Sequence, residues 1–362
     1  MGWAGLLGQD AAVASLRRDL AGGRVAHAYL FHGPAGVGKA TAARRFVQAL
    51  QCEALHAAGR LGSPEENDGP CGACTPCRKV ARGVHPDVVL VRPETDRDGK
   101  PRRSVGIGAV RGQLLARAYL RPQEGRRQIF LLDNTDCPVT ADAFDALLKT
   151  LEEPPPDTIL LLVTPNLHGL PPTVVSRCRK VRFRALTRED QRAILASLTP
   201  GALGEEADPD QLISLSMGRL GLALEGGATA LAGRREAALE LLEGLSAPPA
   251  KADEVALLGL AAAQAAGGET AREGAVRFLE MLRGLLRDIL ILQTAAGVVE
   301  PWSADLEKPL AEIGRRWGVR GLTEALDRVE SALYDVGVVN TNPSLTLEAL
   351  VFALRATVAL GA

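Results

Sequence analysis

Ala28-Tyr29-Leu30-Phe31-His32-Gly33-Pro34-Ala35-Gly36-Val37-Gly38-Lys39-Ala40-Thr41 is the stretch on which the fold turns. Its apolar start reads as a buried strand, its glycines as a tight turn, and Thr41–Gln51 as the helix beyond. Strand, Gly-rich turn and helix in that order form a phosphate-binding loop, because glycines let successive backbone N–H groups face one anion at a helix N-terminus. Gly33, Gly36 and Gly38 would shape the cradle, and Lys39 would reach the terminal phosphates. One part is missing. The position after Lys39 should carry the Ser or Thr hydroxyl that binds Mg2+, and here it is Ala40. Thr41 comes one residue late, about 100° further round an α-helix. The loop suits phosphate better than metal, so binding of ATP with Mg2+ is expected to be weak or absent.

Outward from this stretch, strands are expected at Asp87–Val91, Gln128–Asp133, Thr158–Val163 and Lys180–Arg184. Helical spacing marks a lead-in helix within residues 1–26, a helix at Val105–Leu120, and one at Ala141–Leu151 that Pro154-Pro155-Pro156 stops. Strands alternating with helices predict an α/β domain with a parallel sheet covered on both faces. After Ala185 no strand pattern follows. Thr187 is an N-cap, and the remainder is Ala/Leu-rich with breaks at Ala247-Pro248-Pro249, Gly267-Gly268 and Val299-Glu300-Pro301. The expected organisation is a P-loop α/β domain at 1–185, a small helical domain at 186–227 and an all-α domain at 228–362.

At 362 residues, 46% apolar and 23% charged, the chain reads as an ordinary globular protein with ample core. A net charge of −1 gives no global attraction to nucleic acid, so such contacts must come from local patches. Arg97, Lys100, Arg102 and Arg103 gather in one loop and Arg121, Arg126 and Arg127 in another, without interleaved aromatics. The start lacks the basic and apolar regions of a signal peptide, and no window approaches a membrane span. A cytoplasmic location with no membrane contact is expected.

Four of six cysteines cluster: Cys52, then Cys71-Gly72-Ala73-Cys74-Thr75-Pro76-Cys77. Each C-x2-C turn brings two sulfurs to one ion, and Cys52 at the end of the P-loop helix completes a tetrahedral set. The expectation is a structural Zn2+ module at 52–80. Cys137 and Cys178 read as small apolar residues. Asp133, ending a strand, suits a Mg2+ ligand, whereas Asn134 cannot accept a proton from an attacking water. Arg177, in Val175-Ser176-Arg177-Cys178-Arg179, could serve as an arginine finger; by its residues alone a surface salt bridge is the plainer reading.

His27-Ala28-Tyr29-Leu30-Phe31, the four-cysteine insertion, His85-Pro86-Asp87, Ala146-Leu147-Leu148-Lys149-Thr150-Leu151-Glu152-Glu153-Pro154-Pro155 and Ser176-Arg177-Cys178 occur here in one order. That series resembles the bacterial DNA polymerase III clamp-loader subunits, which are AAA+ proteins. The resemblance is strong over residues 1 to about 225, and fainter at Asn340-Thr341-Asn342 and Leu345–Leu350, which are similar to the family's last collar helix. It implies an AAA+ domain, a helical lid and an oligomerising collar. Thr164 takes the sensor-1 position, while Gly221 stands where the sensor-2 Arg belongs. Ala40 and Asp133-Asn134-Thr135-Asp136 depart from the gamma/tau motor pattern and resemble the delta-prime branch, whose own ATPase is often degenerate.

The resemblance implies a stator beside gamma/tau and delta in a hetero-pentamer. Arg177 would reach a neighbour's ATP in trans, and the assembly would load the sliding clamp on primed DNA. The alternative is an active motor of the same fold.

Overall fold

The computed structural model describes residues 2–3, 6–57, 69–95, 102, 104–134, 138–167, 169–198, 208–248, 253–265, 271–339 and 341–361. It forms two compact units, Met1–Leu186 and Thr187–Ala362.

The first unit is built on five strands: β1 (Ala28–His32), β2 (Val88–Leu90), β3 (Gln128–Asp133), β4 (Thr158–Thr164) and β5 (Arg179–Arg182). They pair in parallel in the order β2-β3-β4-β1-β5. Side chains alternate across a strand, so each inner strand feeds two cores. Tyr29, Phe31, Ile159, Leu161 and Val163 pack on one face with Phe46 and Leu16 from helices Lys39–Gln51 and Asp10–Ala21. Ala28, Leu30, Leu160 and Leu162 pack on the other with Phe144 and Leu147 from helix Ala141–Glu152. Burial on both faces explains why these strands read as continuous apolar runs.

Three boundaries differ from expectation. β2 is shorter than Asp87–Val91, although both flanking residues still bond to β3: the Asp87 carbonyl accepts from Ile129 N–H at 2.8 Å and Val91 N–H donates to the Leu131 carbonyl at 2.9 Å. The last strand begins at Arg179, a residue early. Residues 105–120 do not make one α-helix: the helical turns at Ile107–Ala109 and Ala116–Ala118 flank a π-helical turn at Val110–Leu115. Cys137, Asp136, Arg97, Lys100 and Arg103 lie outside the described residues.

The second unit is helical. Thr187 caps helix Arg188–Ser197 with a capping box: its side chain accepts from Asp190 N–H, and Asp190 accepts from Thr187 N–H. One apolar cluster runs from Leu212 and Met217 through helices Ala228–Ser246, Ala271–Thr294 and Pro343–Gly361. Glu307–Tyr334 is two helical pieces broken at Gly318, whose φ of 60° lies outside the helical region. Trp317, fully buried at that break, donates its indole N–H to Ser246 Oγ at 2.7 Å. None of the helices among the described residues is long and apolar enough to cross a membrane.

Candidate nucleotide and metal sites

The glycine loop joins β1 to helix Lys39–Gln51. Gly33, Gly36 and Gly38 all adopt positive φ, at 141°, 73° and 94°. At Gly33 a side chain would also clash, since a Cβ there would lie 2.2 Å from the Phe183 carbonyl oxygen. The cradle expected from the sequence is therefore a real conformation, closed against the chain beyond β5. Lys39 is buried, and among its contacts Nζ donates to the Pro34 carbonyl at 2.6 Å, within its own loop. Ala40 and Thr41 are both exposed at the helix start.

Register brings the rest of the set to the same edge. His32 is abreast of Thr164, and Asp133 is abreast of Val163, so the carboxyl ends of β1, β4 and β3 line up beside the loop. That crevice is where parallel sheets bind ligands. Asn134 is occupied on both sides of its amide: Oδ1 accepts from Val139 N–H at 2.7 Å, and Nδ2 donates to Thr164 Oγ1 at 3.4 Å. Thr164 Oγ1 donates in turn to the Asn166 carbonyl at 2.9 Å. Gly221 and Arg219 belong to the second unit, where Arg219 is buried and paired with Glu280.

Arg177 ends helix Pro172–Arg177. Its guanidinium donates to the Thr173 carbonyl at 3.0 Å and pairs with Glu152 at 2.6 Å, joining two motifs of the sequence. Both partners are open to water, at 36% and 51% exposure. Such pairs contribute about 0–1 kcal/mol. The residue after it, Cys178, is buried, and burial pushes its thiol up to about 12. It behaves as the small apolar residue expected.

The four cysteines converge. Cys52 ends the P-loop helix, Cys74 caps helix Thr75–Ala81, and Cys77 lies inside that helix. All four sulfurs lie within 4.8 Å of one another, with Cys71–Cys77 and Cys74–Cys52 each at 4.0 Å. A tetrahedron of thiolates around Zn2+ has sulfur–sulfur edges of about 3.8 Å, given Zn–S near 2.3 Å. The donor set fits. Cys52 and Cys77 are fully buried, and desolvation pushes both thiols up. Cys71 is exposed; desolvation raises its thiol, but N–H donation from Cys74 and Ala73, with the side-chain bonds of Cys74 and Cys52, together outweighs that and brings it to about 7. Gln48 Nε2 donates to the Cys77 carbonyl at 2.9 Å, tying the module to the P-loop helix. The four sulfurs supply the complete donor set that a closed four-thiolate site would use.

Sequence reasoning missed the anchoring role of Asp87. Its buried carboxylate accepts three backbone N–H groups, from Gln123, Glu124 and Gly125, at 2.6–2.9 Å. The signal available was an Asp after His-Pro, which reads as an ordinary turn. His85 is buried, with Nδ1 accepting from Asp87 N–H at 3.2 Å.

Residues 8–187 match the family model described as DNA polymerase III, delta subunit. The Escherichia coli DNA polymerase III subunit tau is 34% identical over 190 residues, covering 52% of this chain and 26% of that protein. Mycobacterium tuberculosis subunit gamma/tau is 30% identical over 371 residues, covering 96% of this chain and 59% of that protein. Pseudomonas aeruginosa subunit delta' is 37% identical over 159 residues, 43% of each chain. The chain thus spans less than two thirds of the length of each of these relatives.

Proposed function

We propose, from the premise that this chain belongs to the DNA polymerase III clamp-loader subunit family, that it acts as the delta-prime-like stator of the loader. The observation that carries this reading is the incomplete catalytic edge. Ala40 supplies no hydroxyl for Mg2+, and Asn134 offers no base, its amide being held between Val139 and Thr164. Loss of a water-activating group alone costs on the order of 10²–10⁴ in rate. Gly33, Gly36, Gly38, Lys39, Thr41, Asp133 and Thr164 form a nucleotide cradle whose occupancy is weak, and its hydrolysis slow.

The chain's contribution to chemistry is then Arg177, offered to ATP held by a neighbouring gamma/tau subunit. A guanidinium placed at a transferring phosphoryl group stabilises the charge that develops there. Exposure and a weak pair with Glu152 support this role, since little free energy is lost when Arg177 exchanges that carboxylate for phosphate. Residues 1–185 serve as the AAA+ domain, 186–227 as the lid, and 228–362 as the collar that joins gamma/tau and delta in a pentamer. The assembly opens the sliding clamp and delivers it to primed DNA. The four-cysteine centre holds a structural Zn2+ and takes no part in catalysis.

The test is Arg177→Ala in the reconstituted complex. Assembly should persist while clamp- and DNA-stimulated turnover at the neighbouring site falls roughly 10³-fold. Unchanged stimulated turnover would sink the assignment. A second reading, an active gamma/tau-like motor, is favoured by the match to gamma/tau over 96% of the chain. Steady ATP turnover by the isolated chain separates the two.

A further inference from the structure

We propose that the amino edge of the sheet carries a second ligand surface, one that binds the sugar–phosphate backbone of single-stranded nucleic acid. β2 and β3 run parallel, so the segments that lead into them, residues 85–87 and 121–127, lie together at the edge opposite the glycine loop, Asp133 and Thr164. Helix Thr75–Ala81 adjoins them through the Lys79–Glu124 ion pair. On these elements and the turn before them, Arg78, Arg82, Arg117, Arg121 and Arg126 are exposed and Arg127 is half-buried. None of the six has a carboxylate partner among the described residues. Some exposed arginines elsewhere are matched to acids, as in Arg177–Glu152, Arg192–Asp210 and Arg328–Glu324. Six unneutralised guanidiniums in one region of a chain with net charge −1 are a local excess that suits a polyanion.

The region is built to present them. The fully buried Asp87 fixes the loop backbone through the N–H groups of Gln123, Glu124 and Gly125. Gln51 brackets the end of the loop, accepting from Arg126 N–H at 3.0 Å and donating to the Arg127 carbonyl at 2.6 Å. Both anchors hold backbone groups, which leaves the arginine side chains outward. Their chemistry favours phosphate, because a guanidinium fork binds two phosphate oxygens at once.

Tyr119 decides the kind of polyanion. It is 61% exposed, and its sequence neighbours on either side include Arg117 and Arg121. An exposed ring among guanidiniums is a stacking platform for an unpaired base. A duplex offers such a ring no free base face, and an acidic protein surface makes no use of stacking. The surface rests on neither the metal nor the nucleotide assignment.

The experiment is fluorescence anisotropy of a labelled oligothymidylate titrated with the full chain, from low to moderate salt. Binding should weaken linearly in log–log form as salt rises. Arg121→Ala/Arg126→Ala should reduce affinity and flatten the slope by roughly 1.4, at about 0.7 per lost contact on a single strand. Tyr119→Ala should weaken binding roughly 5- to 150-fold, the range for one stacked base, with the slope unchanged. These variants shorten exposed side chains and leave the Asp87 and Gln51 anchors in place; an unchanged circular-dichroism melt checks this. Wild-type salt dependence in the double Arg variant overturns the proposal, as does absence of binding by the native chain. Competition by polyglutamate equal to that by oligothymidylate overturns the choice of nucleic acid, and an inert Tyr119→Ala overturns the single strand.

Discussion

The glycine loop and the four-cysteine cluster share the helix Lys39–Gln51, one at each end, yet they differ in completeness. The cluster has every donor a tetrahedral centre needs. The loop has its cradle but lacks the hydroxyl at position 40 and the base at position 134. Packing explains how the loop can keep its shape without its full chemistry. Gly33 is required by contact with the Phe183 carbonyl, and the positive φ at Gly36 and Gly38 is required by the turn into the helix. Those demands hold whether or not nucleotide is turned over. The cysteine cluster has no such packing demand: its four sulfurs converge within 4.8 Å of one another, the spacing that a shared ion would use. Loop shape is thus evidence of fold, while a complete donor set is evidence of use.

The largest effect should come from breaking the complete site. Cys74→Ser is expected to lower metal content from about one per chain to near zero by elemental analysis, and to expose residues 69–81 to proteolysis. Structural Zn2+ typically contributes on the order of 10 kcal/mol to such modules, so the loss should be visible without sensitive assays. Unchanged metal content would refute the four-thiolate centre. Next is the incomplete site: the isolated chain with ATP and Mg2+ should turn over at least about 10²-fold more slowly than an intact motor subunit. Clear turnover that Lys39→Ala abolishes would erase the contrast between the two sites and make this chain a motor.

Asp87 sharpens the comparison with a third position, a buried acid used purely for architecture. Burial pushes its carboxyl up, but the three N–H donors and nearby His85 outweigh that and hold it below the usual carboxylate range. The acid is held more strongly ionised in the folded state, so its stabilisation is present above about pH 4 and is lost as pH falls through the folded value. Asp87→Asn should therefore be destabilised by about 1–3 kcal/mol near neutrality, with the gap to the native chain closing in acid. Melting midpoints from pH 2.5 upward, at about half-unit steps, measure this; a gap independent of pH would contradict it. The smallest effect is expected at Glu152→Gln, which removes the partner of Arg177. Stability should change by less than about 1 kcal/mol. In the trans reading, stimulated turnover of the complex stays at or slightly above the native level, and a large drop would mean that Glu152 itself acts in the reaction.

Much of the first unit was legible because its signals are local. Five apolar runs separated by helical spacing yielded the parallel sheet, with errors confined to ends. The side chain of Asp87 anchors a loop distant in sequence, which no periodicity reports. The π turn at Val110–Leu115 hid behind ordinary helical spacing. At the candidate sites, the glycine and cysteine spacings were readable, whereas the pairing of Arg177 with Glu152 was not, although both residues sit in motifs visible in the sequence. The basic loops themselves carry no aromatic residue. Tyr119 ends the helical segment just before Arg121, and only its exposure in the fold marks it as available.

By itself the sequence determined what a few neighbouring residues can enforce: the positive φ of Gly33, Gly36 and Gly38, the strand and helix periods, and the C-x2-C turns. The tertiary structure alone decided which distant residues meet. Asp87 reaches Gln123 across 36 residues, and Asp133 stands level with Val163. Those meetings follow from the strand order β2-β3-β4-β1-β5, which is set by packing two apolar cores on opposite faces of one sheet. No short-range pattern encodes that order, because burial counts area removed from water and is indifferent to the separation of the contributing residues along the chain.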